Sequence, residues 1–146
     1  MKTVLNDKTG IDYHMHLVLR DKDGNIKDER RVFNTVTTSG KNGAADQILA
    51  APSLNKPTHM AIGTGSPAAN ALGTELDRNA NTSKNRSGAV VTIVGDWAAG
   101  DGTGAITEAG TFDAASTGNM WMSASFSVIN KGASDTLSIS WTLTFA

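Results

Sequence analysis

Two histidines near the start of the chain are the first side chains whose spacing could support chemistry. His14 and His16 lie two positions apart, and on a β-strand this spacing places both imidazoles on one face, within reach of one metal ion. Zinc needs further ligands, and the remaining histidine, His59, is distant in sequence. The pattern favours packing on a sheet face or an interface, with a metal shared at an oligomer axis as the alternative.

An acidic run follows the histidines. Residues 21–25 read Asp-Lys-Asp-Gly-Asn, which is similar to part of a calcium loop. The EF-hand spacing requires a glutamate at its twelfth position, which is Val32 in this chain. Because Asp-Gly tolerates the positive φ of a tight turn, the run predicts a β-hairpin.

A glycine-rich loop is the third candidate. Gly63, Thr64 and Gly65 follow a predicted strand, as a phosphate-binding loop would. The later glycine of a dinucleotide site and the lysine of a P-loop are both missing. The motif therefore predicts a loop whose glycines permit unusual φ values.

The acidic side chains form no catalytic pattern. Glu75 and Arg78 have the spacing of an ion pair on a helical turn. Glu108 lies in a strand of small residues, where a solvated edge charge is the favoured interpretation and a buried partner for Arg78 or Arg86 the alternative. There is no cysteine and no Ser-His-Asp order with a nucleophile elbow. The sequence predicts a protein that is not an enzyme, with no catalytic, cofactor-binding or metal-binding residues.

The composition limits the class of protein further. A chain of 146 residues with 39% hydrophobic and 18% charged residues suits one domain with many turns. The net charge of −1 gives no general attraction to nucleic acid or to an anionic membrane. The first residues lack the apolar region of a signal peptide, and no run is apolar enough to span a membrane. We expect synthesis in a cytoplasm, without export by that route.

The elements that must position these residues are strands. Residues 136–145 alternate large apolar residues with Ser and Thr, which is typical of a strand with one buried face. Similar patterns predict strands at 13–20, 26–37, 58–62, 89–97, 105–112, 120–129 and 136–145. A short helix is expected at 43–50, capped by Ser39 or Asn42, and one helical turn within 70–78.

These elements predict an all-β fold, an antiparallel β-sandwich with jelly-roll-like or immunoglobulin-like packing and one short helix. Residues 1–11 are expected to form a flexible arm and residues 12–146 a single sandwich domain. The predicted core consists of Leu17, Leu19, Val36, Ile48, Leu49, Met60, Ile62, Leu76, Val91, Ile93, Ile106, Phe112, Phe126, Val128, Ile139, Trp141, Leu143 and Phe145.

Several motifs in a fixed order resemble a known group of proteins. The motifs are DKDGNIKDERRVFNTVTTSGKNGAADQIL, HMAIGTGSPAANALGTELDRN and the tail GTGAITEAGTFDAASTGNMWMSASFSVINKGASDTLSISWTLTF. Together they resemble small structural proteins of tailed bacteriophages over residues 12–146. The chain departs from that pattern at Phe33, where a histidine is expected, and at Asp77.

The resemblance implies a component of the virion. We expect first a capsid decoration (cement) protein that binds the outer shell, bridges major capsid subunits and forms a homotrimer. A tail, tail-tip or baseplate component is the second expectation. A carbohydrate-binding adhesin module is the third, with Trp121 as its candidate aromatic.

The expected partner contacts lie in two places. The arm is expected to become ordered on contact with the partner. Trp121 lies between Met120 and Met122, which suggests one face in the core and the other against a neighbouring subunit or the shell. The predicted interface residues are Met1, Lys2, Thr3, Val4, Leu5, Trp121 and Met122.

Overall fold

The computed structural model describes residues 11–145 and arranges them as two five-stranded antiparallel sheets and one helix. The elements in chain order are β1 (Ile11–Arg20), β2 (Ile26–Phe33), β3 (Thr35–Val36), α1 (Thr38–Asp46), β4 (His59–Gly63), β5 (Glu75–Ala80), β6 (Ser83–Ser87), β7 (Val90–Trp97), β8 (Gly104–Phe112), β9 (Met120–Lys131) and β10 (Thr136–Phe145). The predicted all-β sandwich with one short helix is confirmed.

The first sheet has the strand order β2-β1-β10-β7-β6, so the last strand of the chain lies at its centre. Leu137, Ile139 and Trp141 of β10 point into the core, and the Ser and Thr between them face outward, as their alternation predicts. β10 pairs along its length with β1 and with β7. The strand with the clearest sequence pattern therefore lies at the centre of this sheet.

The second sheet has the order β3-β9-β8-β4-β5 and packs face to face with the first. One continuous core lies between them and contains residues of both sheets. Its centre includes Trp141, whose indole Nε1 donates a hydrogen bond to Sδ of Met60 across the sandwich at 3.1 Å. Burial of these large side chains is the main stabilising term.

Helix α1 begins earlier than predicted. It spans Thr38–Asp46 rather than 43–50, and its N-cap is Thr37, not Ser39 or Asn42. The Thr37 hydroxyl oxygen accepts a hydrogen bond from the Gly40 N–H at 3.0 Å. Gly40 and Gly43 are both buried where the helix approaches β9. The glycines allow this close packing because they have no Cβ.

The stretch 70–88 contains strands and not the predicted helical turn. β5 pairs with β4 at the edge of the second sheet, and β6 pairs with β7 at the edge of the first. Both strands are rich in polar residues, so their sequences lack the alternation of apolar and polar residues that indicates a strand. Polar side chains on an edge strand also protect a sheet from pairing with another chain.

The core prediction is wrong for five residues, which are exposed: Ile48, Leu49, Leu76, Val128 and Phe145. Ile48 and Leu49 follow the end of α1, Leu76 lies on an edge strand, and Phe145 ends β10. Val128 lies where the pairing of β8 with β9 is irregular, so the alternation of β9 does not continue through it. Val91 and Phe126 are half-buried at the margin of the core.

β1 begins at Ile11, whose backbone is paired with that of Phe145. Residues 1–10 of the expected arm lie outside the described residues. Within residues 11–145, no helix is long and apolar enough to cross a membrane.

Candidate interaction surface

The two histidines lie on the outer face of the first sheet, as their spacing predicted. His16 Nε2 lies 2.6 Å from Oε1 of Glu29, and the His14 ring meets the Phe33 ring edge to face at 5.6 Å between centroids. Within the described residues, no group of three or more His, Asp or Glu side chains is placed to hold a metal ion. In this chain the pair makes cross-strand contacts from β1 to β2.

The acidic run at 21–25 forms the predicted hairpin turn. The Asp21 carboxylate accepts hydrogen bonds from the Asp23 and Asn25 N–H groups at 2.9 and 3.0 Å. Gly24 adopts a φ of +84° within this turn. The hydrogen bond from the Asn25 backbone is the main reason that the pKa of Asp21 is lowered. The carboxylate is therefore used by the turn's own backbone.

Glu108 is buried in β8 and binds the glycine-rich loop. Its Oε1 accepts hydrogen bonds from the N–H groups of Gly65 and Thr74 at 2.9 and 2.8 Å, and its Oε2 accepts one from Gly73 at 2.8 Å. The prediction of a solvated edge charge is wrong, and neither alternative partner, Arg78 or Arg86, is among these hydrogen bonds. Because a protein carboxylate already occupies these donors, the Gly65 loop does not offer them to a phosphate.

Glu75 and Arg78 form the predicted ion pair, but on strand β5. The Arg78 guanidinium donates to both carboxylate oxygens of Glu75 at 2.8 and 2.6 Å. It also donates to the backbone oxygens of Ala114 and Thr117, and it lies 3.7 Å above the centre of the Phe112 ring. Arg78 therefore joins β5 to the turn after β8 and is a structural residue.

The predicted contacts on β9 are covered by the chain itself. Trp121 is 8% exposed and Met122 is 1% exposed. The Trp121 ring lies under Gly43 of α1, and Met122 belongs to the central core. Little surface of either side chain is left for a partner: both line an apolar cleft beside α1, and Trp121 does not protrude as the platform of a carbohydrate site. Met1, Lys2, Thr3, Val4 and Leu5 lie outside the described residues.

A strongly exposed aromatic residue is found instead on β2. Phe33 is 80% exposed, next to His14. Its alternating position on β2 predicts that it points outward from the sheet, but the sequence does not show whether another part of the chain covers that face.

Among the described residues, a segment with three exposed aliphatic side chains follows α1. We call residues 47–57 the apolar loop. Ile48 is 87% exposed, Leu49 is 59% exposed and Leu54 is 44% exposed. The Asp46 carboxylate holds the loop by accepting hydrogen bonds from the Ser53 and Leu54 N–H groups, both at 2.9 Å. An ordered loop with protruding aliphatic side chains is typical of a binding surface.

A cleft of about 260 Å³ opens beside this loop, between α1 and the ends of the two sheets. Its walls are almost wholly apolar and include Val36, Val91, Trp121, Leu143 and Phe145. Lys56 and Lys84 stand at its margin. The Lys84 ammonium donates to the Pro57 carbonyl oxygen at 2.8 Å, and burial is the main reason that its pKa is lowered.

In comparisons with known proteins, no family model, no curated protein and no solved structure matches the chain. The ionisable groups discussed above contact backbone groups or each other, whereas the apolar loop and the cleft leave apolar surface uncovered by the described residues. This arrangement suits the binding of another apolar surface.

Proposed function

We propose that this chain is a structural subunit of a tailed-phage virion, and specifically a capsid decoration protein. It binds the outer surface of the assembled shell, bridges neighbouring major capsid subunits and acts as a homotrimer. The order of the sequence motifs suggests the virion. The observation that carries the proposal in the structure is the apolar loop, where Ile48 and Leu49 are exposed on a loop fixed by Asp46.

The mechanism is multivalent attachment. One loop with three exposed aliphatic side chains offers only a small contact area. In a trimer, the second and third contacts become intramolecular after the first has formed, so modest contacts give tight attachment. The bridged shell subunits then resist separation, because separating them requires breaking several contacts together.

A double substitution of the loop tests the proposal. Replacing Ile48 and Leu49 with aspartate (I48D/L49D) places two charges where we expect an apolar contact. Losing two aliphatic side chains that the proposed contact would bury costs more than about 1.4 kcal/mol of binding, so we expect binding to purified particles to fall at least about tenfold. Because both residues are exposed, the free energy of unfolding should change by less than about 0.5 kcal/mol per substitution.

The matched control is Ile26→Asp, which also adds a charge at an exposed isoleucine. Ile26 is the first residue of β2 and pairs with Arg20, the last residue of β1. It therefore lies at the end of the first sheet that is away from α1. This variant should bind particles like the unchanged protein. Equal binding by I48D/L49D and the unchanged protein, with both folded, would contradict the assignment of the apolar loop as the contact.

A further inference from the structure

A second cavity lies on the outer face of the first sheet and is separate from the cleft. Its volume is about 260 Å³, and it shares no lining residue with the cleft or with the apolar loop. The outward-pointing side chains that line it come from β1, β2 and β10 and are His14, His16, Arg31, Phe33 and Thr142. Because it is smaller than the ~300–1,000 Å³ pockets that hold drug-sized ligands, it suits a single small ring.

Phe33 supplies an apolar platform beside this cavity. Its side chain is 80% exposed, and its backbone pairs with that of His14. The two rings meet edge to face with 5.6 Å between their centroids, so a neighbouring strand supports the Phe33 ring. A side chain supported in this way loses little conformational freedom when a ligand binds. Its open face offers contact area to the C–H groups of a flat ligand.

Polar groups surround the platform in two rows across the sheet. Phe33, His14 and Thr142 form one row, and Arg31 and His16 belong to the next. The Arg31 side chain is 72% exposed. Among the described residues, its guanidinium makes one hydrogen bond, to Oε1 of Glu29 at 3.4 Å. Since a guanidinium carries five N–H donors, most of those of Arg31 remain for a ligand.

The charge of the cavity selects among flat ligands. Of the described residues that line it, Arg31 is the one side chain that is always positively charged, and the nearby Glu29 carboxylate is 2.6 Å from His16. One exposed guanidinium is complementary to one carboxylate, which it binds with two parallel hydrogen bonds. A nucleic acid requires several cations along its backbone, and a chain with a net charge of −1 is poorly suited to supply them.

We propose that this cavity binds an acidic saccharide, with one uronic acid ring stacked on Phe33 and its carboxylate bound by Arg31. Such a ring combines an apolar C–H face, hydroxyl groups and a single negative charge. The His14 imidazole and the Thr142 hydroxyl, in the same row as Phe33, hydrogen-bond the ring hydroxyls. Because the site shares no residue with the apolar loop, this binding activity is independent of the proposed attachment to a capsid.

Titration calorimetry with an oligogalacturonate tests the proposal. The methyl ester of the same oligosaccharide is the matched ligand, because esterification keeps the sugar rings and removes their charge. We expect the acid to bind at least about tenfold more tightly than the ester. Equal binding of the two would overturn the assignment of a carboxylate to Arg31. If neither the oligogalacturonate nor oligosaccharides that carry glucuronate or sialate bind, the proposal is wrong.

Two substitutions locate the site. Phe33→Ala removes the platform and Arg31→Gln removes the charge, and we expect each to lower the affinity for the oligogalacturonate at least about tenfold. The matched controls are Ile26→Ala, at an exposed apolar residue on the same strand, and Arg86→Gln, at an exposed arginine on the opposite edge strand of the sheet. Both controls should bind like the unchanged protein. Because all four residues are exposed, all four variants should unfold like the unchanged protein. Similar losses of affinity in test and control variants would contradict the site.

Two other kinds of partner give different results. A single-stranded oligothymidylate also offers rings and negative charge, and tighter binding of it than of the oligogalacturonate would overturn the proposal. If no saccharide binds and Phe33→Ala loses binding to purified particles, this face is a protein contact and the saccharide assignment fails. In either case, the assignment of the apolar loop is tested separately by I48D/L49D.

Discussion

At the scale of single residues, Glu108 shows how a buried carboxylate can serve the fold alone. Its side chain is fully buried, and three backbone N–H groups of the segment between β4 and β5 donate to it. These hydrogen bonds replace the water that a charged carboxylate loses on burial. Thr107 supports the same loop, because its hydroxyl donates to the Gly65 carbonyl oxygen at 2.7 Å.

Replacing Glu108 with glutamine should be costly. The amide presents an NH₂ group to one of the backbone N–H donors and removes the charge that strengthens all three hydrogen bonds. We expect the free energy of unfolding, measured with urea, to fall by about 2 kcal/mol or more. Glu29→Gln, at an exposed carboxylate on β2, is the control and should cost much less. If the free energy of unfolding falls by a similar amount in the two variants, the buried hydrogen bonds of Glu108 do not contribute more to stability than an exposed carboxylate does.

Asp135 gives the protein a predicted sensitivity to acid. Its carboxylate accepts hydrogen bonds from the Lys27 ammonium at 2.6 Å and the Gly132 N–H at 2.7 Å. The contact with Lys27 is the main reason that the pKa of Asp135 lies below its ordinary value of 3.8. Because the folded pKa is the lower one, this stabilisation is fully present above pH 3.8 and is lost as the pH falls through the folded pKa.

Asp135→Asn tests this dependence on pH. The amide oxygen can still accept from Gly132, but the ion pair with Lys27 is removed. We expect the variant to be less stable than the unchanged protein at neutral pH and the difference to shrink in acid below the ordinary aspartate pKa. Urea unfolding midpoints over a pH series measure it. A difference that stays constant through the series would contradict a contribution from the charge.

At the scale of elements, the position of α1 depends on close contact with β9. A Cβ built on Gly43 would overlap the Trp121 ring, and one built on Gly40 would overlap the Trp121 backbone carbonyl. Thr37 adds a second connection, because its backbone N–H donates to the Trp121 carbonyl oxygen at 2.9 Å. Glycine is therefore needed here even though it is a poor helix former.

Gly43→Ala should destabilise the protein although alanine favours a helix by about 1 kcal/mol. The added methyl group forces α1 away from Trp121, and we expect a net loss of about 1–3 kcal/mol in the free energy of unfolding. Asn42→Ala, at the exposed neighbouring position, should instead leave stability unchanged or slightly raised. If the two variants shift stability in the same direction, the close packing of α1 is not required.

These elements also show what the sequence can and cannot predict. The alternation in β10 predicts a half-buried strand because the period of a strand is local and repeats five times. The start of α1 was missed because Gly40 and Gly43 serve a contact with Trp121, which is remote in sequence. Glu108 was missed for the same reason, since its donors come from another part of the chain. The sequence does not predict the apolar loop, because isoleucine and leucine are usually buried and nothing in the residues around Ile48 and Leu49 indicates that they are exposed.

At the scale of the whole molecule, the sandwich presents different properties at its two ends. The 21–25 turn at one end is polar and charged. The other end carries α1, the apolar loop and the cleft. With a net charge of −1, the chain has little long-range attraction to a charged partner, so the proposed attachment would depend on short-range contacts. An end-on contact through the apolar loop fits a subunit that stands on a larger assembly.

Under the proposed virion role, the copy number of this chain in purified phage particles tests the central claim most directly. It can be measured from the band intensity on a stained gel, calibrated against the major capsid protein. A capsid decoration protein predicts hundreds of copies in each particle. A handful of copies in each particle would instead indicate a component of the tail or baseplate. Absence of the chain from purified particles would contradict a structural role in the virion.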